Sequence, residues 1–234
     1  MKIALLGYGK MGKAIEKIAV ERGHSIVLKI SDDIDKHNIQ TADVAIDFSI
    51  PEAAVKNISN CIKNGVPVIS GTTGWLKNYS DMVALANKKD GAFIYASNFS
   101  LGVNIFFELN KLLAKMMANL SQYKVDLEEI HHTQKLDAPS GTAITLAEGI
   151  IENTHYSDWS LGQEKSKTTI PIESKRIDAV PGTHFVNYTS NVDTISMSHT
   201  AHNREGFALG AVIASEWIIG KTGVFTMNDV LNIG

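Results

Sequence analysis

Sixteen residues, from Glu128 to Ala143 (EEIHHTQKLDAPSGTA), hold the side chains best suited to chemistry. They are adjacent His131 and His132, Lys135 four positions after His131, and the run Asp137-Ala138-Pro139-Ser140-Gly141-Thr142. An imidazole carries or releases a proton near neutral pH, and a lysine brings a full positive charge on a long stem. Apolar Val125, Leu127 and Ile130 predict a strand before this cluster, and Ile144, Leu146, Ala147, Ile150 and Ile151 predict a helix after it. A helix that begins near Pro139 or Ser140 turns its unpaired N–H groups, the positive end of its dipole and the Ser140 and Thr142 hydroxyls toward whatever precedes it. Together these groups suit a small carboxylate that has to be protonated.

A second candidate site lies at the start of the chain. Residues 2 to 7, KIALLG, form an apolar run ending in glycine, and Met11, Ala14, Ile15, Ile18 and Ala19 follow at helical spacing. Across this strand-to-helix turn Gly7, Tyr8, Gly9, Lys10, Met11 and Gly12 spell G-x-G-x-x-G. The first glycine permits the turn, the second lets a pyrophosphate reach the backbone, and the third lets helix and strand pack closely. A strand over Ser25 to Ile30 leads to Asp32, 20 residues after Gly12, where a carboxylate can hold the adenosine ribose hydroxyls. The expected cofactor is NADH or NADPH: Asp32 repels a 2′-phosphate, while Lys10 and Lys36 offset that repulsion.

Around these sites strand and helix alternate. Strands are expected over Val44 to Phe48, Val66 to Ser70 and Ala92 to Ala96, with helices over Pro51 to Lys63 and Tyr79 to Lys88 and a Ser49/Glu52 capping box. Such repeated units imply a doubly wound parallel sheet. Its strand ends at Gly71, Thr72 and Thr73, and at Ala96, Ser97, Asn98 and Phe99, are placed to border a nicotinamide. A long helix over Val103 to Ala118, carrying Ile105, Phe106, Leu109, Leu112, Leu113 and Met116, reads as core packing. Residues 153 to 167 read as a polar loop. The β-rich stretch Thr168 to Thr200, with antiparallel-type strands at Thr183 to Tyr188 and Thr194 to Ser198, reads as a second, mixed unit. The Ala-rich helix over Gly206 to Ile219 is expected to return to the first sheet, ahead of a short tail. The expected fold is α/β: a Rossmann-type doubly wound domain, 1–98 plus 205–234, and a second α+β mixed-sheet domain, 99–204.

Composition sets the bounds. A chain of 234 residues, 44% of them hydrophobic, is long enough for one large core or two modest ones. A net charge of −3 with both signs interspersed points to neither nucleic acid nor membrane as a partner, and no apolar run reaches the roughly 20 residues that span a bilayer. The single Cys61 excludes an intramolecular disulfide and fits a reducing compartment. With no signal peptide legible before the first strand, a cytoplasmic protein is expected. No metal is expected, because H-E-x-x-H and cysteine pairs are missing and adjacent strand histidines point to opposite faces. By the same geometry His132 is also a candidate for simple packing. His184, His199 and His202 read as hydrogen-bonding residues, and Arg204 as a distant anion contact or a solvated ion pair.

Several motifs taken together resemble the 4-hydroxy-tetrahydrodipicolinate reductase family of lysine biosynthesis. They are Gly7-x-Gly9-x-Met11-Gly12, Asp47-Phe48-Ser49-x-Pro51, Gly71-Thr72-Thr73-Gly74, Ser97-Asn98-Phe99-Ser100-x-Gly102-Val103-Asn104, the block from His131 to Ala143, and Val180-Pro181-Gly182-Thr183-His184. The resemblance spans nearly the whole chain, and the histidine-lysine block is its most specific part. It implies reduction of a cyclic imine-type dicarboxylate by NADH or NADPH, with His131 as acid/base and Lys135 as a second proton donor or carboxylate ligand. It implies substrate contacts from His132, Gly141 and Thr142, to which the helix mouth adds Ser140. It further implies homotetramers built through the sheet of the second, substrate-binding domain. Two departures stand out: the glycine loop is shorter than the family's common form, and Gln134 occupies the place of a frequent third histidine. Two other readings stay open. A dinucleotide-binding regulator would need the glycine loop but not Lys135 beside His131, and an aspartate dehydrogenase would consume NAD with an amino acid.

Overall fold

The structure is a computed structural model that describes residues 1–163, 165–203 and 205–233. In chain order its elements begin with β1 (Lys2–Leu6), α1 (Lys10–Glu21), β2 (Ser25–Ile30), β3 (Val44–Asp47), α2 (Pro51–Lys63), β4 (Val68–Ser70), α3 (Tyr79–Lys88) and β5 (Ala92–Tyr95). There follow α4 (Leu101–Met117), β6 (Lys124–His131), α5 (Gly141–Ile151), β7 (Asp158–Leu161), β8 (Thr169–Arg176), β9 (Gly182–Thr189) and β10 (Thr194–Ala201). The chain ends in α6 (Glu205–Ile218), β11 (Gly223–Phe225) and α7 (Met227–Leu231). These form two units, Met1–Leu101 with Glu205–Gly234, and Gly102–Arg204.

The first unit is built on a six-stranded parallel sheet of order β11-β5-β4-β3-β1-β2. Its inner strands are mostly apolar because both faces are covered, whereas the edge strand β2 exposes Ser25, Val27 and Lys29, and β3 and β4 end in buried Asp47 and Ser70. Ile3, Leu5, Val44, Ile46, Ile69 and Ile94 face the layer that holds α1 and α6, whereas Ala4, Leu6, Ala45, Val68 and Phe93 face α2 and α3. Alternate residues of one strand thus serve two cores, and the doubly wound arrangement follows.

The second unit is a five-stranded mixed sheet of order β10-β9-β6-β8-β7, antiparallel on the β9 side of β6 and parallel on the β8 side. Helices α4 and α5 cover one face, packing Phe106, Ala114, Leu146, Ala147 and Ile150 against Val125, Leu127, Ile170, Ile172 and Val186. The opposite face carries polar cross-strand pairs such as Asn187 with Asp126 and Lys175 with Glu128.

Four expectations need correction. The tail forms β11, which extends the parallel sheet beside β5, and α7. The stretch 153 to 167 contains β7, recruited by pairing with β8. No Ser49/Glu52 capping box forms. Helix α2 takes Ile50 as its N-cap with Pro51 at its first turn, where no N–H needs a partner, and Ser49 turns its hydroxyl to Asp47 instead. Finally, α4 is apolar on two sides. Ile105, Leu109, Leu112 and Met116, expected in the core, are 45%, 49%, 50% and 64% exposed, because the sheet can cover only one stripe of the helix. Among the described residues no helix is long and apolar enough to cross a membrane.

Candidate active site

Strand β6 brings the chemistry of the second unit into line. Val125, Leu127, Glu129 and His131 share its covered face with a period of two, apolar at one end and ionisable at the other. Glu129 is in register with Ser174 on β8 and His184 on β9, and His184 with His199 on β10, so polar side chains lie side by side across four strands.

Glu129 is fully buried. Both its oxygens accept from the Ser140 backbone N–H at 3.1 Å, and Oε1 accepts from Ser174 Oγ at 2.8 Å. Arg176 Nη2 stands 3.5 Å from Oε1, while His131 Nδ1 and His184 Nε2 stand 3.5 and 3.7 Å from Oε2. Burial pushes this carboxyl up, but His184, Ser140 and Ser174 outweigh it and hold the group well below the usual carboxylate range. Three ligand-type side chains meet here, since atoms of Glu129, His131 and His184 lie within 4.8 Å of one another. The carboxylate is already met by two hydrogen-bond donors and a guanidinium.

His131 is 7% exposed. Burial pushes its imidazole down to about 4, against the pull of Glu129; His184, Lys135 and Arg176 act in the same direction as burial. His132 follows the end of β6, half-buried, and its Nδ1 is enclosed without a hydrogen-bond partner among the described residues. Ser140, expected to face substrate, is otherwise engaged. Its N–H goes to Glu129, and its Oγ caps α5 by accepting from the Ala143 N–H at 3.2 Å and lies 3.2 Å from His184 Nε2. The open mouth of the helix is left to Gly141 and Thr142; Gly141 is exposed, with nothing within 4 Å of where a Cβ would stand. Lys135 Nζ holds both Asp137 oxygens at 2.9 Å, and its charge keeps that carboxyl below its ordinary value. Arg176 clamps the segment between β6 and α5 by donating to the carbonyls of Lys135 and Asp137 at 3.3 and 2.7 Å.

The glycine loop occupies the first unit. Gly7 has φ +93°, and a side chain on it would strike the Phe48 carbonyl, so both conformation and space demand glycine. Gly12, buried in α1, meets the Gly7 carbonyl in the same way. Gly9 is the N-cap of α1 and faces open space, with a cavity of about 450 Å³ beside it that Tyr8, Asp32, Phe48 and Ser49 also line. A bare amide backbone at a helix start next to such a cavity fits a pyrophosphate with its adenosine. Asp32 is met by His37 Nε2 at 2.8 Å and Lys36 Nζ at 3.5 Å, with His37 foremost in holding its carboxyl low. Lys10 and Ser97 are exposed, and Met11 and Ala96 half-buried. The Tyr8 hydroxyl donates to Glu16 and accepts from Lys29 at 3.1 Å.

The two strand-end loops are more structural than their composition suggests. Gly71 lies against the Phe48 ring, and Thr72 Oγ1 accepts from the Ser49 N–H at 2.8 Å, while Thr73 is exposed. Asn98 Oδ1 accepts from the Ser100 N–H at 2.8 Å, and the Phe99 side chain is core. Beneath the loops, buried Asp47 accepts from Ser49 Oγ, Asn57 Nδ2 and Ser70 Oγ at 2.6, 2.9 and 3.0 Å. Burial pushes its carboxyl up, and those donors work against it. Asp47, Glu129, Ser174 and Arg176 are members of these sites that composition and spacing did not single out. Arg204 lies outside the described residues.

Comparison with known proteins bears on both units. The family model for the dihydrodipicolinate reductase N-terminus matches residues 1–99, and that for the C-terminus matches residues 102–231. The 4-hydroxy-tetrahydrodipicolinate reductase of Christiangramia forsetii is 58% identical over 99% of this chain and 98% of its own length. That of Methanoregula boonei is 36% identical over 82% of this chain and 75% of its own. Among solved structures, the dipicolinate-bound dihydrodipicolinate reductase from Paenisporosarcina sp. TG-14 has the same fold, with a TM-score of 0.77 at 23% identity over 97% of each chain. With both halves matched and a near-full-length relative well above 30% identity, the chain belongs to the dihydrodipicolinate reductase family of NAD(P)H-dependent oxidoreductases.

Proposed function

We propose that the protein reduces 4-hydroxy-tetrahydrodipicolinate to tetrahydrodipicolinate in the cytoplasmic biosynthesis of diaminopimelate and lysine. In this reading the first unit holds NADH or NADPH and the second holds the substrate. The dinucleotide supplies a hydride to the conjugated C=N system. The electron density so created needs a proton, and His131 gives it. In the free site burial keeps this imidazole neutral; the negative charge of a bound dicarboxylate raises its affinity for the proton it will hand over. Lys135 neutralises one carboxylate, and the Gly141 and Thr142 amides at the mouth of α5, with the Thr142 hydroxyl and His132, receive the other. In the first unit Gly7, Gly9 and Gly12 form the pyrophosphate turn, Tyr8, Lys10 and Met11 flank it, and Asp32 takes the ribose hydroxyls. Gly71, Thr72 and Thr73 with Ala96, Ser97, Asn98 and Phe99 complete the bed through their backbones.

One observation carries the reading: His131 and the start of α5 are anchored to one buried carboxylate, while Arg176 holds the segment bearing Lys135. The bound dipicolinate of the Paenisporosarcina enzyme supports a planar dicarboxylate as the ligand class. The test is oxidation of NADH and NADPH with the freshly made condensation product of pyruvate and aspartate semialdehyde. His131→Gln is expected to lower kcat roughly 10²–10⁴-fold with little change in KM, and Lys135→Ala to raise KM and lower kcat together. Near-normal kinetics in both variants would remove the assignment.

We also infer a homotetramer assembled through the second unit. Support comes from β10, an eight-residue edge strand with exposed Ile195, and from the apolar stripe on α4, since a lone soluble chain rarely leaves both uncovered.

A further inference from the structure

The fully buried Glu129 anchors both His131 and the start of α5, and its charge faces one particular ring nitrogen of that histidine. We propose that Glu129 is the positioning residue that keeps a proton on Nδ1 of His131, so that Nε2 is the atom through which this imidazole delivers a proton to substrate. The proposal rests on the reductase reading above and deepens it.

Glu129 and His131 are two residues apart on β6 and therefore share its covered face. His131 Nδ1 is enclosed, has no hydrogen-bond partner among the described residues, and lies 3.5 Å from Glu129 Oε2. A bare Nδ1 lone pair facing a carboxylate would set two acceptors against each other in a dry site. A proton on Nδ1 turns the same contact into a weak N–H to carboxylate bond. The carboxylate stays ionised because three independent groups hold it: the Ser140 N–H, the Ser174 hydroxyl and the Arg176 guanidinium. The other ring nitrogen, Nε2, stands beside residue 182, where a Cβ would come within 3.1 Å of it. Glycine there leaves room at the nitrogen that must exchange a proton. The ionisable groups facing His131 are then Glu129 from its own strand, His184 from β9, Arg176 at the end of β8, and Lys135 from the following segment. Of these only Glu129 favours the imidazolium. Because the same carboxylate holds the Ser140 N–H, proton donor and carboxylate-binding helix share one anchor.

A plain structural brace would also explain the bond from the Ser140 N–H to Glu129, so the experiment must read the proton. Two-bond ¹H–¹⁵N correlation spectra of the full-length enzyme, labelled with ¹⁵N-histidine at neutral pH, report which nitrogen of each ring is protonated, and His131→Gln identifies the signal. We expect the Nδ1–H form in the wild type, loss of that preference in Glu129→Gln, and its retention in Glu129→Asp. In the steady state Glu129→Gln lowers kcat roughly 10²–10⁴-fold with substrate KM held within about threefold. It also moves the alkaline limb of the kcat profile to lower pH, because the charge that favours the imidazolium is gone; Glu129→Asp restores most of the loss. A wild-type Nε2–H tautomer overturns the proposal, even if Glu129→Gln does not fold. So does a Glu129→Gln enzyme with higher KM but an unmoved pH limb and tautomer. A wild-type enzyme that fails to turn over the substrate overturns the reductase reading instead, and the spectra still decide the tautomer.

Discussion

Between about pH 4 and 6.5 the folded protein and its unfolded chain hold different numbers of protons at one imidazole. The unfolded chain protonates His131 with an ordinary pKa near 6.5, while the folded one refuses that proton until about 4. Stability tied to neutral His131 is therefore complete above pH 6.5 and declines as the pH falls toward 4. Glu129, held low by its donors, adds a loss that begins only below its ordinary value of about 4.3. Thermal unfolding followed between pH 7 and 4 is expected to show a falling midpoint in the wild type and a shallower fall in His131→Gln. Asp32 makes a separate prediction. A carboxylate facing a 2′-phosphate repels it, an effect on the order of fivefold in affinity for an exposed pair. Asp32→Ser is thus expected to shift the ratio of NADPH to NADH in kcat/KM upward by about that factor, read from paired kinetics. His131 and Lys135 were legible because their types and spacing are rare together. Glu129 was not, because a glutamate in a strand reads as a solvated position. The clue lay in the phase of Val125 and Leu127, which carries the covered face on to residues 129 and 131 and leaves Ile130 on the other side.

At the scale of elements, periodicity located α2 and α3 to the residue, and β1 with the start of α1 closely, because each has a core of its own to face. It did not locate β7, β11 or α7. These are short, and their state is decided by partners distant in sequence, as when the Gly223 N–H bonds to the Gly91 carbonyl at 2.9 Å. Helix α6 depends on one such distant contact. A Cβ on Gly210 would run into the Phe99 carbonyl, so Gly210→Ala must push α6 off the sheet or shift the Ala96–Phe99 loop. Overpacking of this kind costs about 1–3 kcal/mol, to be read as a lower urea midpoint, and the affinity for dinucleotide is expected to weaken with it. Ser140→Ala removes the cap of α5 at a cost of about 1 kcal/mol and is expected to raise KM more than it lowers kcat.

At the scale of the molecule, the exposed apolar residues decide between a single chain and an assembly. If β10 lies in a subunit contact, Ile195→Glu places a charge where a partner strand would sit. Light scattering after gel filtration is expected to report four chains for the wild type and a smaller species for this variant, with the far-ultraviolet circular dichroism unchanged. A wild-type monomer would refute the assembly.

The six-stranded sheet is composed from both ends of the chain, with the whole of the second unit translated in between. Synthesis therefore completes the proton-handling half before the nucleotide half has its last strand and its covering helix. A nascent polypeptide arrested after residue 204 carries every glycine of the loop and the entire His131–Lys135 pair, yet Ile3, Leu5, Val44 and Ile46 still lack the α6 side chains they pack against. Such a fragment is expected to bind dinucleotide more weakly than the full chain and to be cleaved faster by added protease, because that core face stays uncovered. In this protein the nucleotide unit is closed only once α6 and β11 have joined the sheet begun by β1.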